Sequence, residues 1–227
     1  MPLRLLAVLV TVLGSLAATP AQAQLAGTDT HLWGQAVATL RLPNQWRLHL
    51  EEQPRWFNDI SEPFQVLTRT AAGRQMNARL TLWAGHAWIA KPPGPGVTHE
   101  QRLWQQASIT LPLAGRWATS LRLRQEQRWQ ANWADSSHRT RLMVRAQRPV
   151  GTARWALVGW NEVMVNLDDT PKGPPQGFDQ NRLFGGLNRR LSKQATVDAG
   201  YLWVEQKLPS GRRAHLHVPF VSLGLAF

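Results

Sequence analysis

Between Leu121 and Trp129 the chain reads Leu-Arg-Leu-Arg-Gln-Glu-Gln-Arg-Trp, so Arg122, Arg124, Glu126 and Arg128 recur at every second residue. In a β-strand alternate side chains share a face, and this stretch therefore builds one charged face and one less polar face. The period returns at Arg139, Arg141, Met143 and Arg145, and again at Arg47, His49, Glu51, Gln53 and Arg55. A soluble sandwich points its apolar face at a core and its arginines at water. A barrel in a membrane does the reverse, with lipid outside and charge inside.

The N-terminus indicates the compartment. Arg4 gives a short positive start, Leu5 to Ala18 is an almost unbroken apolar run, and Ala21-Gln22-Ala23 fits an A-x-A cleavage site. The run is short for a membrane span, and small residues follow it where a charged stop would stand. Residues 1–23 therefore read as a signal peptide and 24–227 as a single exported domain. The remainder holds no second long apolar stretch, so strands are the only candidate spans. With no cysteine, disulfides and thiolate chemistry are excluded. Formal net charge is +12, and lysine contributes only Lys91, Lys172, Lys193 and Lys207 to it. A basic balance can signal nucleic acid. Here the arginines are strung along alternating segments, not blocked together, and no nucleic-acid partner is expected. A basic soluble periplasmic domain is the competing class.

Period-two segments occupy roughly 31–42, 45–58, 63–73, 78–91, 98–111, 116–132, 136–147, 153–167, 178–190, 194–207 and 213–227, separated by Pro/Gly/Asn/Asp clusters. They are about twice the usual strand length and suit a tilted strand crossing a bilayer. Tight connections at 42–44, 73–75, 112–115, 149–151 and 191–193 alternate with longer ones at 58–62, 91–98, 134–137, 168–177 and 209–212. Short turns on one side and longer loops on the other predict an all-β, antiparallel up-and-down transmembrane β-barrel in the cell outer membrane. Single-chain bacterial barrels have even strand numbers. Twelve strands are therefore expected, one having escaped the pattern, with ten the alternative.

Tryptophan supports the same phase. Trp46 and Trp56 stand at the two ends of one strand face, and Trp117 and Trp129 at the ends of another. Ten to twelve tilted residues cover roughly the 25 Å band that aromatic girdles flank. Gln125, Gln127 and Asn161 are misfits that would face lipid unless a bulge shifts them. Val221, Leu223, Leu225 and the terminal Phe227 share one face, the pattern of a C-terminal assembly signal. Expected partners are thus outer-membrane lipids and lipopolysaccharide, barrel-assembly machinery and an anionic small solute, with the protein a monomer.

Several motifs resemble an uncharacterised family of outer-membrane barrels, domain of unknown function 2490. They are Arg102-Leu-Trp-Gln-Gln106, Leu121-Arg-Leu-Arg-Gln-Glu-Gln-Arg128, Arg139-Thr-Arg-Leu142, Asn161-Glu162, Phe178-Asp-Gln-Asn-Arg-Leu-Phe-Gly-Gly186, Gly200-Tyr201 and the His217 to Phe227 ending. The resemblance spans essentially the mature chain. It implies an outer-membrane β-barrel and carries no activity.

With lipid outside, the inward set includes Arg47, Glu51, Arg55, Arg69, Arg102, Arg122, Arg124, Glu126, Arg128, Arg139, Arg141, Arg145, Glu162, Asn166, Gln180 and Arg182. Two roles compete. Glutamates can bridge guanidinium groups into a packed polar interior, because the planar arginine fork engages a carboxylate bidentately. Alternatively, surplus arginines line a track for anionic solutes, such as carbohydrate or organic acids. Burying unpaired guanidinium groups dry is costly, so water or bound anions are expected in the lumen. No catalytic residue and no cofactor is expected. An enzymatic barrel acting on lipid A or phospholipid acyl groups would pair His86, His99 or His138 with Ser108, Ser136 or Ser137. Asp135, Asp168, Asp169 and Asp179 in outer loops, and His215 with His217, are weak metal-ligand patterns, and no metal is expected.

Overall fold

The computed structural model describes residues 30–91, 99–111, 116–130, 133–151, 154–208 and 210–227. Residues 1–23, expected to be a signal peptide, the 112–115 connection and all but the first residue of the 91–98 connection lie outside the described residues. The described residues form eleven strands: β1 Leu32–Arg41, β2 Trp46–Phe57, β3 Glu62–Gln75, β4 Leu80–Ala90, β5 His99–Leu111, β6 Ala118–Gln130, β7 Ser137–Val150, β8 Trp155–Asn166, β9 Gly177–Arg190, β10 Ala195–Lys207 and β11 Arg213–Ala226. Each matches one of the period-two segments to within three residues. Among the described residues no helix is long and apolar enough to cross a membrane.

Consecutive strands pair antiparallel, and β11 returns to β1 to close a barrel. Among the described residues eleven strands close the barrel, beside the about twelve expected. With an odd number of alternating strands the first and last run the same way. The seam is accordingly parallel, in register from Trp33↔Phe220 to Thr39↔Ala226. Beyond it the Phe227 amide donates to Thr39 O at 3.0 Å, and the Arg41 amide donates to Phe227 O at 2.8 Å. The terminal residue is thus hydrogen-bonded into the wall.

The strand ends that border the connections after β1, β3, β7 and β9 lie at one end, the turn end, and those that border the connections after β2, β6, β8 and β10 at the other, the loop end. Local chemistry fixes the tight turns. Asn77 Oδ1 accepts from the amides of Arg79 and Leu80 at 2.8 and 2.9 Å, and Ser192 Oγ accepts from those of Gln194 and Ala195. The turn expected at 73–75 falls inside β3 instead. Gly73 faces inward beneath the Trp83 ring, where a Cβ would collide with it, so that glycine serves close packing and the chain reverses at Met76–Arg79.

Cross-strand register separates two faces. Leu48, Leu103, Leu123, Leu142, Leu157, Leu183 and Leu187 are exposed on the outer face, while Glu51, Arg69, Arg102, Arg124, Glu126, Arg139, Arg141 and Glu162 are buried on the inner one. Arginine therefore points in. The misfits stay outside, each paired with a polar side chain on a neighbouring strand. Gln105 and Gln127 exchange hydrogen bonds, Thr140 donates to Gln125 at 2.6 Å, and Asn161 donates to Asn181 at 2.8 Å. Cross-strand pairing satisfies these amides where a bulge would have turned them inward.

The interior is not polar throughout. One apolar cluster joins Trp33, Val158, Phe184, Leu202, Val204, Val218 and Phe220. A second joins Leu67, Ala71, Ala87, Ile89 and Trp104. The charged residues are set between them, and side chains fill the small barrel as they fill a core.

Candidate functional site

Strands β5 to β9 supply a chain of guanidinium and carboxylate groups across the interior. Its hub is Glu126, which is 0% exposed. Arg139 donates to Glu126 Oε2 through Nε and Nη2 at 3.1 and 2.6 Å, and Arg141 Nη1 donates to Oε1 at 2.7 Å. Arg102 and Arg124 approach the same carboxylate at 3.5 and 3.9 Å. Arg141 then carries the chain onward, engaging both oxygens of Glu162 at 3.0 and 2.8 Å. Glu162 also accepts from Arg122 at 2.7 Å and lies 3.8 Å from Arg182. The two-residue period of β6 and β7 builds this lattice, because Arg124 pairs with Arg141 and Glu126 with Arg139 on one face.

Toward the loop end, Glu100 accepts from Arg102 and Arg128 at 2.8 and 2.7 Å, and Arg139 Nη1 reaches Asp179 at 2.7 Å. Toward the turn end, Arg145 donates to Asp198 at 3.0 Å and to Gln147 at 3.1 Å, and Arg47 donates to Gln75. On β2 and β3, Glu51 accepts from Arg69 at 2.5 Å and from Gln35 at 2.8 Å. Asn166 donates to Pro175 O at 3.1 Å.

Other arginines are held by amides and rings. Arg55 donates to Gln65 and Gln53 at 2.9 and 2.7 Å, and its guanidinium lies 3.9 Å from the Trp33 ring centre. Arg182 receives the same ring at 4.9 Å and donates to Gln180 at 2.7 Å. Arg124 donates to Gln106 at 2.8 Å and lies 4.2 Å from the Trp104 ring centre. Aromatic faces and neutral acceptors thus hold cations that the acids leave over.

Below Glu126, toward the turn end, lies an internal cavity of about 150 Å3. Arg69, Arg122, Arg141, Arg145 and Arg182 border it together with Glu51, Glu162 and Asp198, while Trp33, Trp160, Leu202 and Phe220 form its apolar wall. The side chains of Arg122 and Arg145 are 26% and 24% exposed, against 5% for Arg141. Arg122 and Arg145 are thus more open to solvent than Arg141.

Sequence reasoning missed five interior residues that matter here. Glu100 was legible, since it precedes Arg102 by two and shares its face. Asp179 was not: the β8–β9 register slips between Met164 and Val165, and the bulge turns Asp179 toward Arg139. Asp198 shares an inner face with Leu202 and Val204, where hydropathy cannot assign sidedness. Trp33 and Trp104 are 2% and 1% exposed and pack inside. Trp46 and Trp117 at the turn end, and Trp129 at the loop end, are exposed on the outer face, with Trp56 half-buried near the loop end.

The serine and histidine candidates do not converge. His138 points outward, its ring bonded to Asp168 at 2.5 Å, while fully buried Ser137 points inward and donates to Asp168 at 3.4 Å. His86 bonds Gln101 on the outer face, His99 stacks on Trp88, and Ser108 accepts from Gln106 inside. The loop acids are engaged as well: Asp135 and Asp169 accept from the amides of Ser136 and Gln176. His215 stacks on Trp203 and His217 bonds Tyr201.

A solved NanC porin has the same overall fold, with a TM-score of 0.51 at 9% identity, covering 88% of this chain and 99% of that one. An uncharacterised protein of Methylorubrum extorquens is 35% identical over 156 residues, 67% of this chain and 68% of the relative. The family described as a protein of unknown function, DUF2490, matches residues 30–215. The chain belongs to that family.

Proposed function

We propose that this protein is an outer-membrane barrel that admits small anionic solutes to an arginine-lined interior. The observation that carries the reading is the surplus of inward guanidinium groups. Glu51, Glu100, Glu126, Glu162, Asp179 and Asp198 are outnumbered by the arginines they face, and among the described residues Arg55 is held by the Gln53 and Gln65 amides and the Trp33 ring. A narrow, water-bearing lumen with that excess draws in anions and repels cations. The outward leucines, the exposed tryptophans near both ends and the porin-like fold fit a barrel wall facing lipid. The Glu126 lattice narrows the section, so the conductance expected is small.

Planar bilayers test this. Purified protein under a potassium chloride gradient should give a reversal potential of the anion-selective sign, and Arg122→Ala with Arg145→Ala should weaken it. Cation selectivity would overturn the reading. Silence of correctly folded protein would favour a purely structural barrel, for which the closed Glu126 lattice is the specific argument.

A further inference from the structure

We propose that the cavity beneath the Glu126 lattice is a binding site for a small organic carboxylate with an apolar ring or chain. The inference rests on the anion-entry reading and names the solute class. Three properties of the cavity point to it. Its volume, about 150 Å3, is that of an engineered apolar cavity known to hold benzene. Its lining joins a cationic wall at Arg122 and Arg145 to an apolar wall at Trp160, Leu202 and Phe220, with Arg145 and Trp160 directly paired across β7 and β8. Its cationic wall has unused donors: Arg122 Nε, Arg145 Nη1 and Arg69 Nε are buried without a hydrogen-bond partner.

Charge at the site favours an anion even with its acids counted. Glu162 is occupied by Arg141 and Arg122. Asp198 accepts from Arg145 and Asn188, and Glu51 from Arg69. Each acid is thus already bonded to a cation or an amide, whereas the arginines retain free donors. A carboxylate against Arg122 and Arg145 would take up such donors by charge-assisted hydrogen bonds. Its apolar body would then lie against Trp160 and Phe220, whose rings are set edge to face with centres 6.1 Å apart. Inorganic anions can use only the first wall and neutral aromatics only the second. The two together select an amphipathic acid.

The test is calorimetric titration of the folded barrel in detergent with benzoate, acetate and benzamide. Benzoate should bind at least about tenfold more tightly than either, since acetate lacks the buried ring and benzamide the charge. Arg145→Ala should reduce benzoate binding, while Arg148→Ala, on the opposite face of the same strand, should not. Acetate binding as well as benzoate would overturn the proposal, and so would benzamide binding as well as benzoate. These comparisons use the unmodified chain and survive any variant that fails to fold. Anion-selective conductance without benzoate binding would sink this site and leave the passage reading intact. Benzoate binding without conductance would do the opposite.

Discussion

Arg141 Nη1 donates to Glu126 Oε1 at 2.7 Å across the β6–β7 pair, and Glu126 has no solvent-exposed surface. Because Arg141 also holds both oxygens of Glu162, the contact joins two carboxylate centres into one network. A buried ion pair gains little over an apolar replacement, but removing one partner strands the other. Glu126→Gln leaves Arg139 and Arg141 facing a neutral amide and should cost about 3 kcal/mol. Glu126→Gln with Arg141→Met should cost less than the sum of the two single changes. Urea unfolding of the refolded barrel, followed by its heat-modifiable gel migration, checks both; additive losses would contradict a shared network.

Trp33 lies against two cations, with Arg55 at 3.9 Å and Arg182 at 4.9 Å from its ring centre. Desolvated cation–π contacts contribute on the order of 2 kcal/mol. Trp33→Leu keeps an apolar residue in the cluster and loses both contacts, so it should destabilise the barrel more than Trp33→Phe, which keeps a ring. Arg55→Met should cost less in the Trp33→Leu background than in the wild type. Equal costs in both backgrounds would show that the ring does not hold the guanidinium.

The wall was legible in the chain because its cause is local. Alternation around Arg122–Arg128 and Arg139–Arg145 fixes sidedness wherever charge marks one face, and all eleven strands followed. What alternation cannot supply is how the strands close. The parallel Trp33↔Phe220 seam depends on strand parity, and no residue in either strand encodes it. The inward set was readable for the same local reason, yet its pairing was not. Glu126 meets Arg139 through register, Asp179 meets Arg139 through a bulge, and Trp33 meets Arg182 across the closed seam. The aromatic wall was missed because outward and inward tryptophans look alike in sequence when both faces of a strand are apolar.

Glycines on opposite faces predict opposite outcomes. At Gly200 a Cβ would meet Gly185 O and, at 2.6 Å, Gly186 Cα, both backbone atoms that cannot turn aside. At Gly185 it would meet nothing within 4 Å. Gly200→Ala should therefore destabilise the barrel by about 1–3 kcal/mol or prevent its assembly. Gly185→Ala should be neutral or slightly stabilising, because alanine restricts the unfolded chain. Heat-modifiable migration and urea midpoints for the two variants distinguish these outcomes, and equal behaviour would contradict the packing.

The reciprocal Gln105–Gln127 pair predicts an asymmetry on the outer face. Gln127→Leu alone leaves the Gln105 amide without its cross-strand partner, and an unsatisfied amide costs about 1–3 kcal/mol when water is absent. The double change to leucine removes both polar groups and should restore stability to the wild-type level or above. Refolding yield into lipid vesicles compares the three chains; a double variant worse than the single would mean the amides do not face lipid.

Asp168 ties the β8–β9 loop to the start of β7. Partial burial raises its carboxyl affinity for protons, but hydrogen bonds from the His138 amide and ring and from Ser137 outweigh this and hold its pKa below the ordinary aspartate value. A carboxylate with a depressed folded pKa contributes its stabilisation above the unfolded pKa, near 4, and loses it as pH falls through the lower folded value. The loop anchor should thus hold unchanged from neutral pH down to about 4 and release only in stronger acid. Hydrogen exchange at the His138 amide, read against pH, should show faster opening there in the wild type. In Asp168→Asn opening should already be fast at neutral pH and vary little on acidification; an identical pH response in the two chains would sink the assignment.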